Sequence, residues 1–119
     1  MALRRLLLAF LFVPLASTHA SAGDYEDGLR IVSNPTQLAL RLDEAVKKFE
    51  AAVRSNKSHK EAWFNLGLLE ALRNDDVKAR QAWQAALSAD AQFLPARAKL
   101  AGLALKPAAA KIAEARKAL

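Results

Sequence analysis

The sequence predicts an all-helical protein, and three observations carry that prediction. Alanine and leucine are frequent among the 119 residues, while glycine and proline number only four each, and alanine and leucine stand at the top of the helix-propensity scale. Apolar residues step by 3 and 4 along several segments, the spacing of one helix face. The chain also repeats itself at a shift of 34 residues. Ala45, Ala79 and Ala113 fall in register, as do Phe49 with Trp83, Ala52 with Ala86, Val53 with Leu87, Ala62 with Ala96, Leu66 with Leu100 and Leu69 with Leu103. Aromatic meets aromatic, and small and large positions recur in one order, which marks an internal repeat.

The first segment reads as an address. Arg4 and Arg5 precede an apolar run from Leu6 to Ala16, broken only by Pro14 and too short to span a bilayer comfortably. Ser17, Thr18 and His19 follow, then the small-residue pattern Ala20-Ser21-Ala22. This order of basic, apolar and polar regions predicts an export signal cleaved after Ala22, with cleavage after Ala20 or an uncleaved anchor as alternatives. The chain is thereby expected in the periplasm or outside the cell. It has no cysteine, which excludes a lipid-anchored lipoprotein, disulfides, thiolate metal sites and a cysteine nucleophile.

In the remaining chain, Tyr25, Leu29 and Val32 step by 4 and 3 and suggest a short helix in the N-terminal segment 23–34. Ser33 and Asn34 are potential caps for a helix opening at Pro35, where a missing N–H costs nothing. Leu38, Leu42, Ala45, Phe49 and Ala52 place one stripe on that helix, which is expected to end near Arg54. The polar run Arg54 to Lys60 interrupts the periodicity. Trp63, Leu66, Gly67 and Leu69 form the face of a second helix to about Arg73, and Asn74, Asp75 and Asp76 make a turn and cap. Ala79, Trp83 and Ala86 carry a third helix, Ala91 to Leu105 a fourth, and Pro107 is expected to open a last one reaching Leu119.

The segment Lys60 to Phe93 resembles a tetratricopeptide repeat. Trp63, Leu66, Gly67, Ala79, Trp83 and Ala86 stand at the family's large-Leu-small and small-aromatic-small positions, with Leu87 and Asp90 also in place. The eleventh position, aromatic in the family, is Glu70, and the closing proline is Ala91. The resemblance extends to a second helix upstream at Asp43 to Asn56 and a first helix downstream at Leu94 to Leu105. It implies a short right-handed α-solenoid over 35–119, of two to three helix-turn-helix hairpins, in which small residues let helices approach and the large ones fill the space between them. The repeat core is then Ala45, Phe49, Trp63, Leu66, Gly67, Ala79, Trp83 and Ala86.

By the same resemblance the first helix of each hairpin lines a concave groove. That places Glu61, Phe64, Asn65, Leu68, Ala71 and Leu72 on its wall, followed by Ala98, Lys99, Gly102 and Leu105. Asn65 and Lys99 fall where chaperone-binding members of the family grip a peptide carboxylate. The groove suits a peptide or helix of another protein; the competing reading packs the same residues on Tyr25 to Val32 or on a second copy of the chain.

Catalysis finds little support in the sequence. His59 lies in a polar turn, and Asp43-Glu44 and Asp75-Asp76 stand where helices start, which capping and the helix dipole explain. No G-x-S-x-G, phosphate-loop or dinucleotide glycine pattern occurs. No cofactor or metal is expected. The formal charge of +6 is interspersed, without a run of like charges, so nucleic acid is not an expected partner. Arg54, Lys57 and Lys60 form a local basic edge, read as a solvated turn or a contact for an anionic lipid or polymer. The expectation is an exported, non-catalytic adaptor or scaffold. Its alternative is a membrane-anchored or self-associating subunit of an envelope complex, with the membrane engaged only if the signal is retained.

Overall fold

The computed structural model describes residues 23–118, and the proposed leader 1–22 lies outside them. Among the described residues every regular element is helical. The helices are α1 over 23–32, α2 Pro35–Leu40, α3 Leu42–Ser55, α4 Lys60–Leu72, α5 Asp76–Ala89 and α6 Leu94–Ala118. No helix among the described residues is long and apolar enough to cross a membrane. The chain divides between Lys57 and Ser58 into two compact units.

In the first unit α1 packs on α3. Tyr25 meets Phe49 edge-on with ring centroids 5.8 Å apart, and Phe49 is fully buried. A Cβ on Gly28 would stand 2.9 Å from Cζ of Phe49, so only a glycine lets the ring lie this close to α1. The buried face of α1 is therefore centred on Gly28 and Ile31, while Leu29, one of the three residues that suggested this helix, is exposed. Lys48 reaches back to Asp24 and Asp27 at 3.4 and 3.5 Å, and its bond to Asp24 is the main reason its ammonium titrates above the usual lysine range.

One helix was expected from Pro35 to Arg54, and the structure has two. Asn34 caps α2, its side chain accepting the N–H groups of Thr36 and Gln37 at 3.0 and 3.2 Å, and Pro35 opens the helix as expected. The chain then leaves helical geometry at Arg41, whose φ and ψ are −126° and 29°. The Arg41 N–H still donates to Gln37 C=O, and its own C=O still accepts from Ala45 N–H. The first of these bonds closes α2 and the second opens α3, and because a single residue separates the two helices the stepping of apolar residues runs on across the junction and hides it. The guanidinium spans the junction, donating to Gln37 and, through two nitrogens at 2.8 and 2.7 Å, to both carboxylate oxygens of Glu44.

In the second unit α4 and α5 form a hairpin. The turn between them is a complete Schellman cap: Asn74 takes φ 61°, its N–H donates to Ala71 C=O, and Asp75 N–H donates to Glu70 C=O. Asp75 then caps α5 by accepting Lys78 N–H at 3.0 Å. At the other end Lys60 donates to Asp90 at 2.6 Å, and its ammonium stands 5.4 Å from the centroid of Phe93. Ala79, Trp83, Ala86 and Ala96 make the buried cluster that joins α5 to α6.

The last helix corrects a second expectation. A separate helix was expected to open at Pro107, but α6 runs unbroken through it. Ala113, the third member of the Ala45 and Ala79 series, is consequently an exposed residue on α6, and no third hairpin forms among the described residues. The proline ring deprives Leu103 C=O of its intrahelical donor. Beyond Leu103 no described residue of α6 is buried or half-buried.

Candidate functional site

The second unit carries a cleft bounded by α4, α5 and α6. It begins with the contact between Trp83 and Gly67. A Cβ on Gly67 would overlap the indole at Nε1, Cδ1 and Cε2, so the bare backbone of α4 receives the ring, and Trp83 Nε1 donates to Phe64 C=O at 3.2 Å. The indole is 3% exposed and lines the base of two adjoining cavities. One, of about 400 Å³, is walled by Leu68, Ala71, Leu72, Trp83 and Lys99. The other, of about 380 Å³, adds Asp76, Ala98, Gly102, Leu103 and Lys106, and Lys106 is held by Asp76 at 2.7 Å.

Of the residues expected on the groove wall, the structure brings Leu68, Leu72 and Lys99 together, with Ala71, Ala98 and Gly102. Leu72 is 59% exposed, and Lys99 makes no ion pair among the described residues. Glu61, Phe64 and Asn65 do not line these two cavities. Phe64 meets Phe93 edge-on at 5.7 Å and is half-buried against the Trp83 cluster. Asn65 is half-buried and Glu61 is exposed, its carboxylate 3.4 Å from His59. Leu105 is 65% exposed.

The expected repeat core is buried at Ala45, Phe49, Leu66, Gly67, Ala79, Trp83 and Ala86 and half-buried at Trp63. Glu70 is the one buried charged residue among the described residues, at 3% exposure, with Arg73 3.6 Å away. In the sequence it stands out only as a departure from an aromatic. Its spacing of four from Leu66 was the available sign, since that step keeps it on the buried side of α4.

The titratable groups singled out in the sequence serve the ends of helices. His59 Nδ1 accepts Ala62 N–H at 3.3 Å and so caps α4. Asp43 and Glu44 occupy the first turn of α3, where negative charge meets the positive end of the helix dipole. Among the described residues no group of three His, Cys, Asp or Glu side chains could hold a metal ion. The bond from Lys60, then that from Gln92 N–H, holds the Asp90 carboxyl below the usual range, and Arg41 does the same for Glu44. None of these shifted groups lines the cleft.

The chain matches no protein-family model and no curated protein.

Proposed function

We propose that the second unit is a non-catalytic protein-interaction module of tetratricopeptide type that takes a peptide or helix of another protein into the cleft between α4, α5 and α6. One observation carries this reading: an apolar wall of Leu68, Ala71 and Leu72 over Trp83 opens beside Lys99, a cation with no ion pair among the described residues. Such a wall gives area to bury, and an unpaired cation at its edge fixes the orientation of a ligand bearing a carboxylate. The capping roles of His59 and Asp75, and the pairing of Glu44 with Arg41, support the non-catalytic part of the reading. The export address remains part of the proposal, resting on the order of basic, apolar and small residues in 1–22.

The test is quantitative capture from a cell-envelope extract with the full chain, tagged at its C-terminus, and two variants. Leu72→Ser/Lys99→Glu alters the cleft; Val77→Ser alters a residue of α5 that is 63% exposed and lines neither cavity. A prey retained by wild type and Val77→Ser but lost with the double variant, and then rebound in purified form with the same pattern, supports the cleft. Identical prey on all three baits, or recovery of this chain alone, overturns it; the second result favours the self-associating subunit.

A further inference from the structure

We propose that the outer face of α6 docks on an anionic lipid surface, independently of the fate of residues 1–22. Leu94, Ala98, Ala101, Leu105, Ala108 and Ile112 step by 4, 3, 4, 3 and 4, which aligns them as one stripe along the helix. Every one of them is exposed, and the large members Leu94, Leu105 and Ile112 are 67%, 65% and 60% exposed. The stripe is distinct from the face that packs on α5, which uses Ala96, Leu100 and Leu103. Two apolar faces on one helix need two apolar environments, and the second has no occupant among the described residues.

Charge says what the occupant is. α6 carries Arg97, Lys99, Lys106, Lys111, Arg116 and Lys117 against the single acid Glu114, whereas residues 23–93 carry ten cations and eleven acids. The positive charge of the described chain is therefore concentrated on this helix. Lys99, Lys111, Arg116 and Lys117 make no ion pair among the described residues. At 100° per residue, Arg116 falls about 50° to one side of the centre of the distal stripe and Lys111 about 90° to the other, while Lys106, Lys117 and Glu114 lie on the far half of the helix. Aliphatic stems beside an apolar stripe, with cationic groups reaching outwards, suit the boundary between acyl chains and anionic headgroups. A second copy of α6 would set cations against cations. Nucleic acid offers no comparable apolar surface to Leu105 and Ile112. The stripe is mostly alanine, so the helix lies shallow and the headgroup charge carries much of the attraction.

Because the chain has no cysteine, one can be introduced and labelled at a single position. Ala108→Cys and Ala110→Cys place an environment-sensitive fluorophore on the stripe and on the opposite side of the full-length chain. With vesicles of equal parts phosphatidylglycerol and phosphatidylcholine, the label at 108 is expected to shift to the blue and the label at 110 to stay unchanged; with phosphatidylcholine alone neither shifts. Lys111→Gln/Arg116→Gln is expected to lower the vesicle affinity read at position 108 about 25-fold, from about fivefold per cation, with helicity and melting unaltered because both residues are exposed. The leader is common to every arm, so these differences report on α6. Equal shifts at 108 and 110, equal shifts with neutral vesicles, no shift, or an affinity insensitive to the two substitutions would each overturn the proposal. A concentration-dependent shift at 108 without lipid, or a shift there only with an acidic helical peptide, would assign the stripe to a second copy or to a protein partner instead.

Discussion

Both units seat an aromatic ring of one helix on a glycine of another, yet the two seats are built differently. Phe49 and Trp83 are 34 residues apart and both buried, but Gly28 precedes Phe49 by 21 residues and Gly67 precedes Trp83 by 16. The first unit accommodates the longer connection with α2 and the break at Arg41; the second turns through a three-residue cap. Phe49 has no polar atom to satisfy, whereas Trp83 brings an N–H into a buried place and finds Phe64 C=O. The comparison teaches that the alanines and aromatic of α3 recur in register in α5, while the helix facing each ring stands at a different distance along the chain and meets the ring with a glycine.

The largest expected effects remove the rings. Trp83→Ala should destabilise the second unit by about 3–5 kcal/mol, the scale for deleting a large buried aromatic, and Phe49→Ala should do the same to the first. Chemical denaturation followed by circular dichroism measures both. Trp83→Phe sharpens the comparison: it keeps most of the packing and leaves Phe64 C=O without the indole donor, so it should cost about 1 kcal/mol. A loss as large as that of the alanine variant would show that the hydrogen bond, and not the packing of the ring, holds α5 to α4 at this point.

Filling the seats comes next. Gly67→Ala drives a methyl into the indole and should cost about 2–3 kcal/mol, at the upper part of the range for overpacking. Gly28→Ala makes a milder overlap with the tip of Phe49 and gains about 1 kcal/mol of helix propensity, so its net cost should fall to about 1 kcal/mol or less. Equal melting shifts for the two variants would break the argument that Trp83 is seated more tightly than Phe49.

What the sequence made legible follows the same division. Periodicity identified the buried stripes of α3 and α5, and Asn34, Pro35 and Asp75 marked helix starts through the chemistry of their side chains. The break at Arg41 was hidden because it takes only one residue, so the apolar stepping from Leu38 to Leu42 continues across it. The continuity of α6 was hidden because a proline normally signals a boundary. The cleft was legible in part: Leu68, Leu72 and Lys99 share it, while Phe64 turned towards Phe93, a partner that no spacing within α4 could reveal. Phe64→Ala therefore tests packing as well as binding, and Leu72 with Lys99 is the cleaner probe of the cleft.

Pro107 supplies a prediction of smaller size. Pro107→Ala restores a donor to Leu103 C=O in a segment that nothing else buries, and it should raise the helical signal at 222 nm without shifting the midpoint at which the Trp83 cluster unfolds. A shift in that midpoint would show that the distal part of α6 is coupled to the core after all.

The smallest effect distinguishes how the units are clasped. Asp90 and Glu44 both titrate below the ordinary carboxylate range in the folded chain, so each pair contributes fully above that range, near pH 4 and upward by about a unit. The contribution is lost as the pH falls through the lowered folded values. Lys60 titrates above the usual lysine range; its contribution is complete below that range and lost as the pH rises through the raised value. Asp90→Asn should therefore flatten the acid limb of the melting profile and remove part of the alkaline one. Glu44→Gln should flatten only the acid limb, because Arg41 keeps its proton throughout. The Asp90 change should be the larger of the two, since Lys60 and Asp90 join residues 30 positions apart while Arg41 and Glu44 lie within one turn. Indistinguishable acid limbs would mean that closing the ends of the hairpin adds nothing beyond a local surface pair.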